Sequence, residues 1–408
     1  MDLLRFITAG SINDGKSTLI GRLLYNTYNI KQDILDSLYA SGHKDDINLA
    51  FLTDGLRSER EQGVTIDVAY KYFSTAKRDY TIIDAPGHFK YTRNFVSGAS
   101  NVNLIIILVD ARNGITEQTK RHTHVASFLK IPTVIVAVNK MDLVEFDELL
   151  FRRLQEEYLS LASKLQLPDV RFIPISALNG DNISDSSVTM PWYTGKTLLE
   201  YLETLALPDN DNTSLRLSVQ CTIGTNLLAK ILSGRIRQGD TVAICPGGKL
   251  SVVEEIVHGF KKVKEAGAGQ NIVLSLTKGV EVKRGDIISN PHDPPVRSTD
   301  LTACICWLDQ ERALEIDKDY ILRINSFESK CRIVVIEYRI DNNKFERLGV
   351  EGSLSVNEFA SVRIKVNAAI AYDLFTSLQA TGKGILIDEE TNNTSGAFVI
   401  TAAGNINQ

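Results

Sequence analysis

The sequence predicts an α/β domain built on a mostly parallel, doubly wound sheet, followed by two antiparallel β-barrel domains. Three observations predict this. Through about residue 205, short apolar runs alternate with helical patterns, as buried parallel strands with crossover helices do. After the polar stretch Pro208–Ser214 the helical patterns stop, and β-rich runs with glycine turns take over. A second breaker, Asn290–Pro295, divides those runs into two groups. The expected domains are residues 1–208, 212–292 and 297–408.

In order, the first domain offers strands at Leu3–Thr8, Tyr80–Ile83, Leu104–Val109, Thr133–Val138 and Arg171–Ile175. Helical patterns cover Lys16–Tyr28, Gln118–Leu129 and Phe146–Leu165. In the last, Leu149, Leu150, Leu154, Tyr158 and Leu161 fall at helical spacing. Each strand runs into a polar or glycine-rich turn, and such turns line the carboxyl edge of the sheet, where ligands bind. The first barrel is expected from Leu215–Cys221, Lys230–Ile236, Thr241–Ile244, Leu250–Val257 and Asn271–Leu276. The second is expected from Leu301–Trp307, Tyr320–Ile324, Arg332–Ile340, Phe359–Val366 and Gly384–Asp388.

The chain has 408 residues, of which 43% are hydrophobic and 23% charged, so it can bury full cores without disulfide or metal staples. Its formal charge of −5 argues against a protein that coats nucleic acid nonspecifically. The start of the chain lacks a signal-peptide pattern, and no apolar run is long enough to span a bilayer. A cytoplasmic location without membrane or nucleic-acid partners is therefore expected. Cys304 and Cys306 share a strand face and read as small core residues, and the six histidines form no metal-ligand spacing.

Gly10-Ser11-Ile12-Asn13-Asp14-Gly15-Lys16-Ser17 matches G-x-x-x-x-G-K-[ST], after a strand and at the head of a helix. Its glycines let the backbone wrap a phosphate chain and aim N–H groups inward. Residues 10 to 18, Thr18 included, are the expected phosphate cradle. Lys16 balances β/γ-phosphate charge, and the Ser17 hydroxyl binds Mg²⁺. Asp84-Ala85-Pro86-Gly87-His88 follows a second strand. There Asp84 can hold Mg²⁺ through water, and the Gly87 N–H can sense the γ-phosphate. Asn139-Lys140-Met141-Asp142 fits N-K-x-D. The Asp142 carboxylate can accept from guanine N1 and N2, a donor pair that adenine lacks. Ser176-Ala177-Leu178 follows the last strand, where a backbone N–H can bind guanine O6. Thr65, within Glu59–Asp67, can place its hydroxyl on Mg²⁺ while the γ-phosphate is present. His88 is placed to orient the attacking water. Together these point to a P-loop GTPase that binds GTP/GDP and Mg²⁺. His88, Lys16 and Thr65 are the expected catalytic residues, and Ser17, Thr65 and Asp84 the metal ligands.

These residues resemble the translation-factor class of GTPases, which implies a GTPase domain followed by two β-barrels. Within that class, several segments are more similar to the large, GTPase subunit of sulfate adenylyltransferase. They are Asp14–Leu24, Glu59–Phe73, Tyr91–Asn94, Asp110–Gly114, Gln118–His122 and, late in the chain, Ile387–Ala397. The resemblance implies a two-subunit enzyme, a heterodimer or higher assembly. A small catalytic subunit makes adenosine 5′-phosphosulfate and pyrophosphate from ATP and sulfate, and this chain supplies GTP hydrolysis to drive the uphill reaction.

The chain departs from that pattern at several places. Asn13 stands where Asp is usual, and Phe89-Lys90 where Glu-Gln is more frequent. The hairpin Gly224–Lys230 is short, and neither an N-terminal extension nor a fused kinase with a second P-loop is expected. Two alternatives share the same nucleotide residues: a carrier of aminoacyl-tRNA of the elongation-factor type, and a paralogue dedicated to a specialised sulfation pathway.

Overall fold

A computed structural model describes residues 2–27, 67–87, 91–208, 210–277, 279–341, 345–349 and 353–403. The chain divides into two units, residues 1–207 with 342–345, and residues 208–341 with 346–408.

The first unit is a six-stranded sheet. Its strands are β1 (Leu3–Ala9), β2 (Ala69–Ser74), β3 (Asp79–Asp84), β4 (Leu104–Asp110), β5 (Thr133–Asn139) and β6 (Val170–Pro174). The spatial order is β2-β3-β1-β4-β5-β6, with β2 antiparallel to β3 and every other pair parallel. β4 and β5 are buried at every position, as strands covered on both faces must be. The described helices are α1 (Lys16–Asn26), α2 (Thr92–Ala99), α3 (Glu117–Phe128), α4 (Glu148–Lys164) and α5 (Leu198–Thr204). The chain leaves β1 toward β3 and leaves β4 toward β5, so the strand order reverses between β1 and β4. The carboxyl ends of those strands are where this architecture binds ligands.

Several elements differ from expectation. α4 begins at Glu148 because Asp147 caps it, its carboxylate accepting from the Leu149 N–H at 2.8 Å. Leu149, expected on the apolar face, is 81% exposed, and the buried stripe is Phe151, Leu154, Tyr158 and Leu161. β2 has no counterpart in the sequence reading. As an edge strand it leaves Tyr70 and Tyr72 exposed, so its pattern is too polar to register as a buried run.

The second unit holds two closed antiparallel six-stranded barrels. The first is drawn from β7 (Arg216–Ile223), β8 (Asn226–Ser233), β9 (Arg235–Arg237), β10 (Thr241–Cys245), β11 (Lys249–His258), β12 (Lys261–Val263), β13 (Glu265–Gly267), β14 (Asn271–Leu276) and β15 (Ile287–Ser289). The ring runs β10-β15-β7-β8-β14-β11 and closes through β11–β10 pairing. The second barrel is drawn from β16 (Val296–Trp307), β17 (Asp319–Ile324), β18 (Phe327–Ile340), β19 (Arg347–Leu348), β20 (Phe359–Tyr372), β21 (Lys383–Asp388) and β22 (Thr394–Ala403). Its ring runs β17-β21-β22-β16-β20-β18 and closes through β17–β18. Closure removes sheet edges, which would otherwise template pairing with other chains.

Leu301, Ala303, Ile305 and Trp307 fill the second barrel. The alternation therefore turns Cys304 and Cys306 to its outer face, where Cys306 is buried and Cys304 only half-buried. Cys306 is thus a buried core residue as expected, packed on the outside of the barrel, and only Cys304 falls short of that expectation. Arg216, 3% exposed at the start of β7, donates to both carboxylate oxygens of Asp373, just past β20, at 2.9 and 2.8 Å. This ion pair bridges the two barrels.

The strand expected over Lys230–Ile236 is broken at Gly234. There φ is +73°, and a Cβ would lie 2.7 Å from Leu215 Cα and 2.8 Å from Leu215 N. Gly234→Ala is expected to destabilise the second unit by at least about 1–2 kcal/mol, from left-handed strain plus the backbone clash. A lower urea midpoint would show it, and an unchanged midpoint would contradict the assignment.

Candidate functional site

The loop after β1 wraps back on itself before α1 begins. Gly10 and Gly15 take φ of +145° and +97°, and Asn13 takes +69°. The Ser11 N–H donates to the Asp14 carboxylate at 2.5 Å, closing the loop from inside. Lys16, 7% exposed at the first position of α1, turns back over the loop. Its ammonium donates to the carbonyls of Gly10 at 3.1 Å and Ser11 at 2.8 Å. Burial lowers the Lys16 pKa, while Asp84 and Asp14 pull it back up. Burial raises that of Asp14, against the Ser11 N–H and the charge of Lys16. Ser17 and Thr18 are half-buried at the head of the helix, and Ile12 is 40% exposed.

Asp84 ends β3 at 2% exposure and accepts from the Thr8 hydroxyl at 3.3 Å. The turn that follows, Ala85-Pro86-Gly87, is buried. It brings Gly87 so close to the loop that a Cβ there would strike the Lys16 ammonium and lie 2.8 Å from the Gly10 carbonyl. The Asp84–Gly87 turn and the loop of residues 10–18 thus share one polar recess. His88 and Thr65 lie outside the described residues, as do Phe89, Lys90, Arg57 and Arg60.

Asn139, at the end of β5 and 2% exposed, joins the remaining segments. Its amide Nδ2 donates to the Asp14 carbonyl at 2.8 Å, and its Oδ1 accepts from the Ala177 N–H at 2.9 Å. Gly15 carries no side chain at a point where a Cβ would collide with that amide. Lys140, in the left-handed region, donates to the Asn13 carbonyl at 2.5 Å and pairs with Asp110 at 2.9 Å. Met141 is fully buried, and its N–H donates to the Ile175 carbonyl, so it shapes the turn and leaves Asp142 half-buried at its rim. Ser176 is fully buried, and its hydroxyl accepts from the Asn179 N–H, whereas Leu178 is 59% exposed.

Two residues of this site escaped the sequence reading. Asp110, at the end of β4, receives Arg112 and Lys140. Burial opposes its charge, but those hydrogen bonds win and hold its pKa at about 2. His122, on α3 and 3% exposed, accepts the Gly10 N–H on its Nδ1 at 3.1 Å. A ring that accepts there carries its proton on Nε2, and the Gln118 amide 3.0 Å away accepts that proton only with its oxygen turned toward the ring. In the sequence His122 is one of six histidines without metal-ligand spacing and the end of the Gln118–His122 segment, with no role at the site assigned to it. A histidine supporting a backbone N–H from a distant helix leaves no local spacing to detect. Among the described residues, no cluster of His, Cys, Asp and Glu forms a metal site, and no helix is long and apolar enough to cross a membrane.

Burial, with the charges of Lys16 and Arg121, holds His122 near a pKa of about 3, against 6.5 for an ordinary ring. The folded state thus keeps the ring neutral, while the unfolded ring takes a proton below about 6.5. The stability from this group is present above that pH and is lost as pH falls toward 3. His122→Asn keeps an acceptor for the Gly10 N–H but cannot titrate. Its urea-derived stability should fall less steeply than wild type between pH 6.5 and 4, and parallel curves would contradict this role.

Comparison with known proteins follows this geometry. The family model described as the elongation factor Tu GTP binding domain matches residues 1–211, and that described as GTP-eEF1A C-terminal domain-like matches residues 300–401. The chain is 41% identical to sulfate adenylyltransferase subunit 1 of Psychromonas ingrahamii, over 98% of this chain and 87% of that one. It is 43% identical to the same-named subunit of Bacteroides fragilis, over 98% and 86%. Among solved structures, the S. cerevisiae Ski7 GTPase-like domain bound to GTP aligns with a TM-score of 0.56 at 17% identity, covering 98% of each chain, a likeness of fold. The chain belongs to the sulfate adenylyltransferase subunit 1 family, and its first domain is a GTPase domain of the elongation factor Tu type.

Proposed function

We propose that this chain binds GTP with residues 10–18, 84–88, 139–142 and 176–178. Its hydrolysis there drives a separate small catalytic subunit to make adenosine 5′-phosphosulfate and pyrophosphate from ATP and sulfate, in the cytoplasm. The observation that carries the reading is the single buried amide of Asn139. It ties the loop of residues 10–18 to the turn after β6, which supports a reading in which that loop takes the phosphate chain and that turn the purine. Support also comes from relatives over 40% identical named for that transferase.

The chemistry follows from charge. A triphosphate entering the loop displaces the Gly10 and Ser11 carbonyls from Lys16, whose ammonium then faces the β/γ oxygens. The inward N–H groups of residues 13–18 add fixed positive ends where charge develops. The Ser17 and Thr65 hydroxyls and the Asp84 carboxylate are hard oxygen donors of the kind Mg²⁺ takes, and these residues would hold it. The buried Asp84 carboxylate, facing Lys16 and the Thr8 hydroxyl, fits a role through bound water. When bound, Mg²⁺ neutralises charge on the β- and γ-phosphates. His88 orients the attacking water, and Thr65 senses the γ-phosphate. Asp142 accepts from guanine N1 and N2.

Co-expression with a small adenylyltransferase subunit tests the coupling. Pyrophosphate release from ATP and sulfate should rise severalfold with GTP and not with a non-hydrolysable analogue; no stimulation by GTP would sink the reading. Base selection has its own test. Asp142→Asn should weaken GTP binding by about tenfold or more, since an amide cannot accept both guanine donors, and should gain affinity for xanthosine triphosphate. Equal affinity for GTP in wild type and variant would remove Asp142 from base recognition.

A further inference from the structure

Arg22 lies on α1, six residues past Lys16, a half-buried cation that none of the nucleotide motifs includes. Its Nε donates to the Ala177 carbonyl at 3.3 Å, and its Nη2 donates to the Leu178 carbonyl. The helix that heads the phosphate loop therefore also grips the backbone after β6. Within that turn the N–H groups are unequally used. Ala177 N–H donates to Asn139 Oδ1, Asn179 N–H to the Ser176 hydroxyl, and Gly180 N–H to the Ser176 carbonyl at 2.8 Å. Leu178 N–H has no acceptor among the described residues. It shares one planar trans peptide with the Ala177 carbonyl, and in that plane the two groups point in opposite directions. The Arg22 bond to the carbonyl fixes the direction of the Leu178 N–H, away from Arg22, and polarises it as a donor.

We propose that Arg22 is a positioning residue for guanine recognition, holding the 177–178 peptide so that the Leu178 N–H donates to O6 of the purine. This rests on the guanine reading above. An oxo group at C6 accepts that bond and an amino group does not, so this peptide sorts guanine from adenine independently of Asp142. The fork geometry matters, because two carbonyls on successive peptides are held by two nitrogens of one rigid plane.

The test compares GDP with 6-thioguanosine diphosphate, by titration of the full, nucleotide-free chain. The analogue keeps the N1 and N2 donors that Asp142 would read, but presents a weak sulfur acceptor at position 6. Wild type should prefer GDP. Arg22→Ala should lose about tenfold in GDP affinity and little for the analogue, so that the ratio of the two falls toward one. Arg22→Lys should recover part of the ratio. A loss shared equally by both ligands, or an unchanged ratio, overturns the proposal, since a merely structural role would not separate them. Thermal unfolding is recorded alongside; if Arg22→Ala does not fold, the ratio in Arg22→Lys decides in the same way. Failure of wild type to prefer GDP over ADP would remove the guanine reading and this role with it. A wild-type preference with unchanged ratios in the variants removes the role of Arg22 alone.

Discussion

The amide of Asn139 is satisfied at both ends from loops that are far apart in sequence, the Asp14 carbonyl on one side and the Ala177 N–H on the other. It is buried, so either bond left unmade would cost about 1–3 kcal/mol. Neighbouring details follow from its position. Residue 15 has to be glycine, because any Cβ would enter the space of the amide. Lys140, next along the chain, is turned into the left-handed region and anchored on Asp110 and the Asn13 carbonyl. The loop after β1 and the turn after β6 are thus parts of one hydrogen-bonded assembly.

Around that amide, charge is arranged in opposing pairs. Lys16 is too buried to be solvated, and its ammonium rests on two carbonyls with Asp84 and Asp14 nearby. Asp14 spends its carboxylate on the Ser11 N–H, which closes the loop from inside. His122 supports the Gly10 N–H as a neutral ring, so no further cation is added under a loop that already carries one. The loop is thus held in shape by its own hydrogen bonds, and under the proposed function a phosphate would exchange contacts with Lys16 without having to build the loop.

Much of the fold was legible because its strands are extreme. β4 and β5 are continuous apolar runs, and few other structures explain seven buried residues in a row. The edge strand β2 and the final strand β22 went unread. The first is half polar, and the second contains Gly396 and begins among Thr and Ser, a composition that reads as loop until a neighbouring strand covers it. At the site, the linear motifs were legible because phosphate and base recognition need particular residues at fixed spacing. Asp110, His122 and Arg22 act through backbone groups or through Lys140, from other strands and helices. Such contacts are created by the tertiary fold and leave no local pattern.

The Arg216–Asp373 pair bears on how the two barrels descend through evolution. Each charge is tolerable inside the protein only while the other is present, and each belongs to a different barrel. A change at one position is heavily disfavoured until the second follows, so the sites are expected to vary together or not at all. A barrel borrowed from a distant relative would arrive without its matching charge. Recombination at the 290–295 linker, where composition alone marks a seam, would separate the two charges.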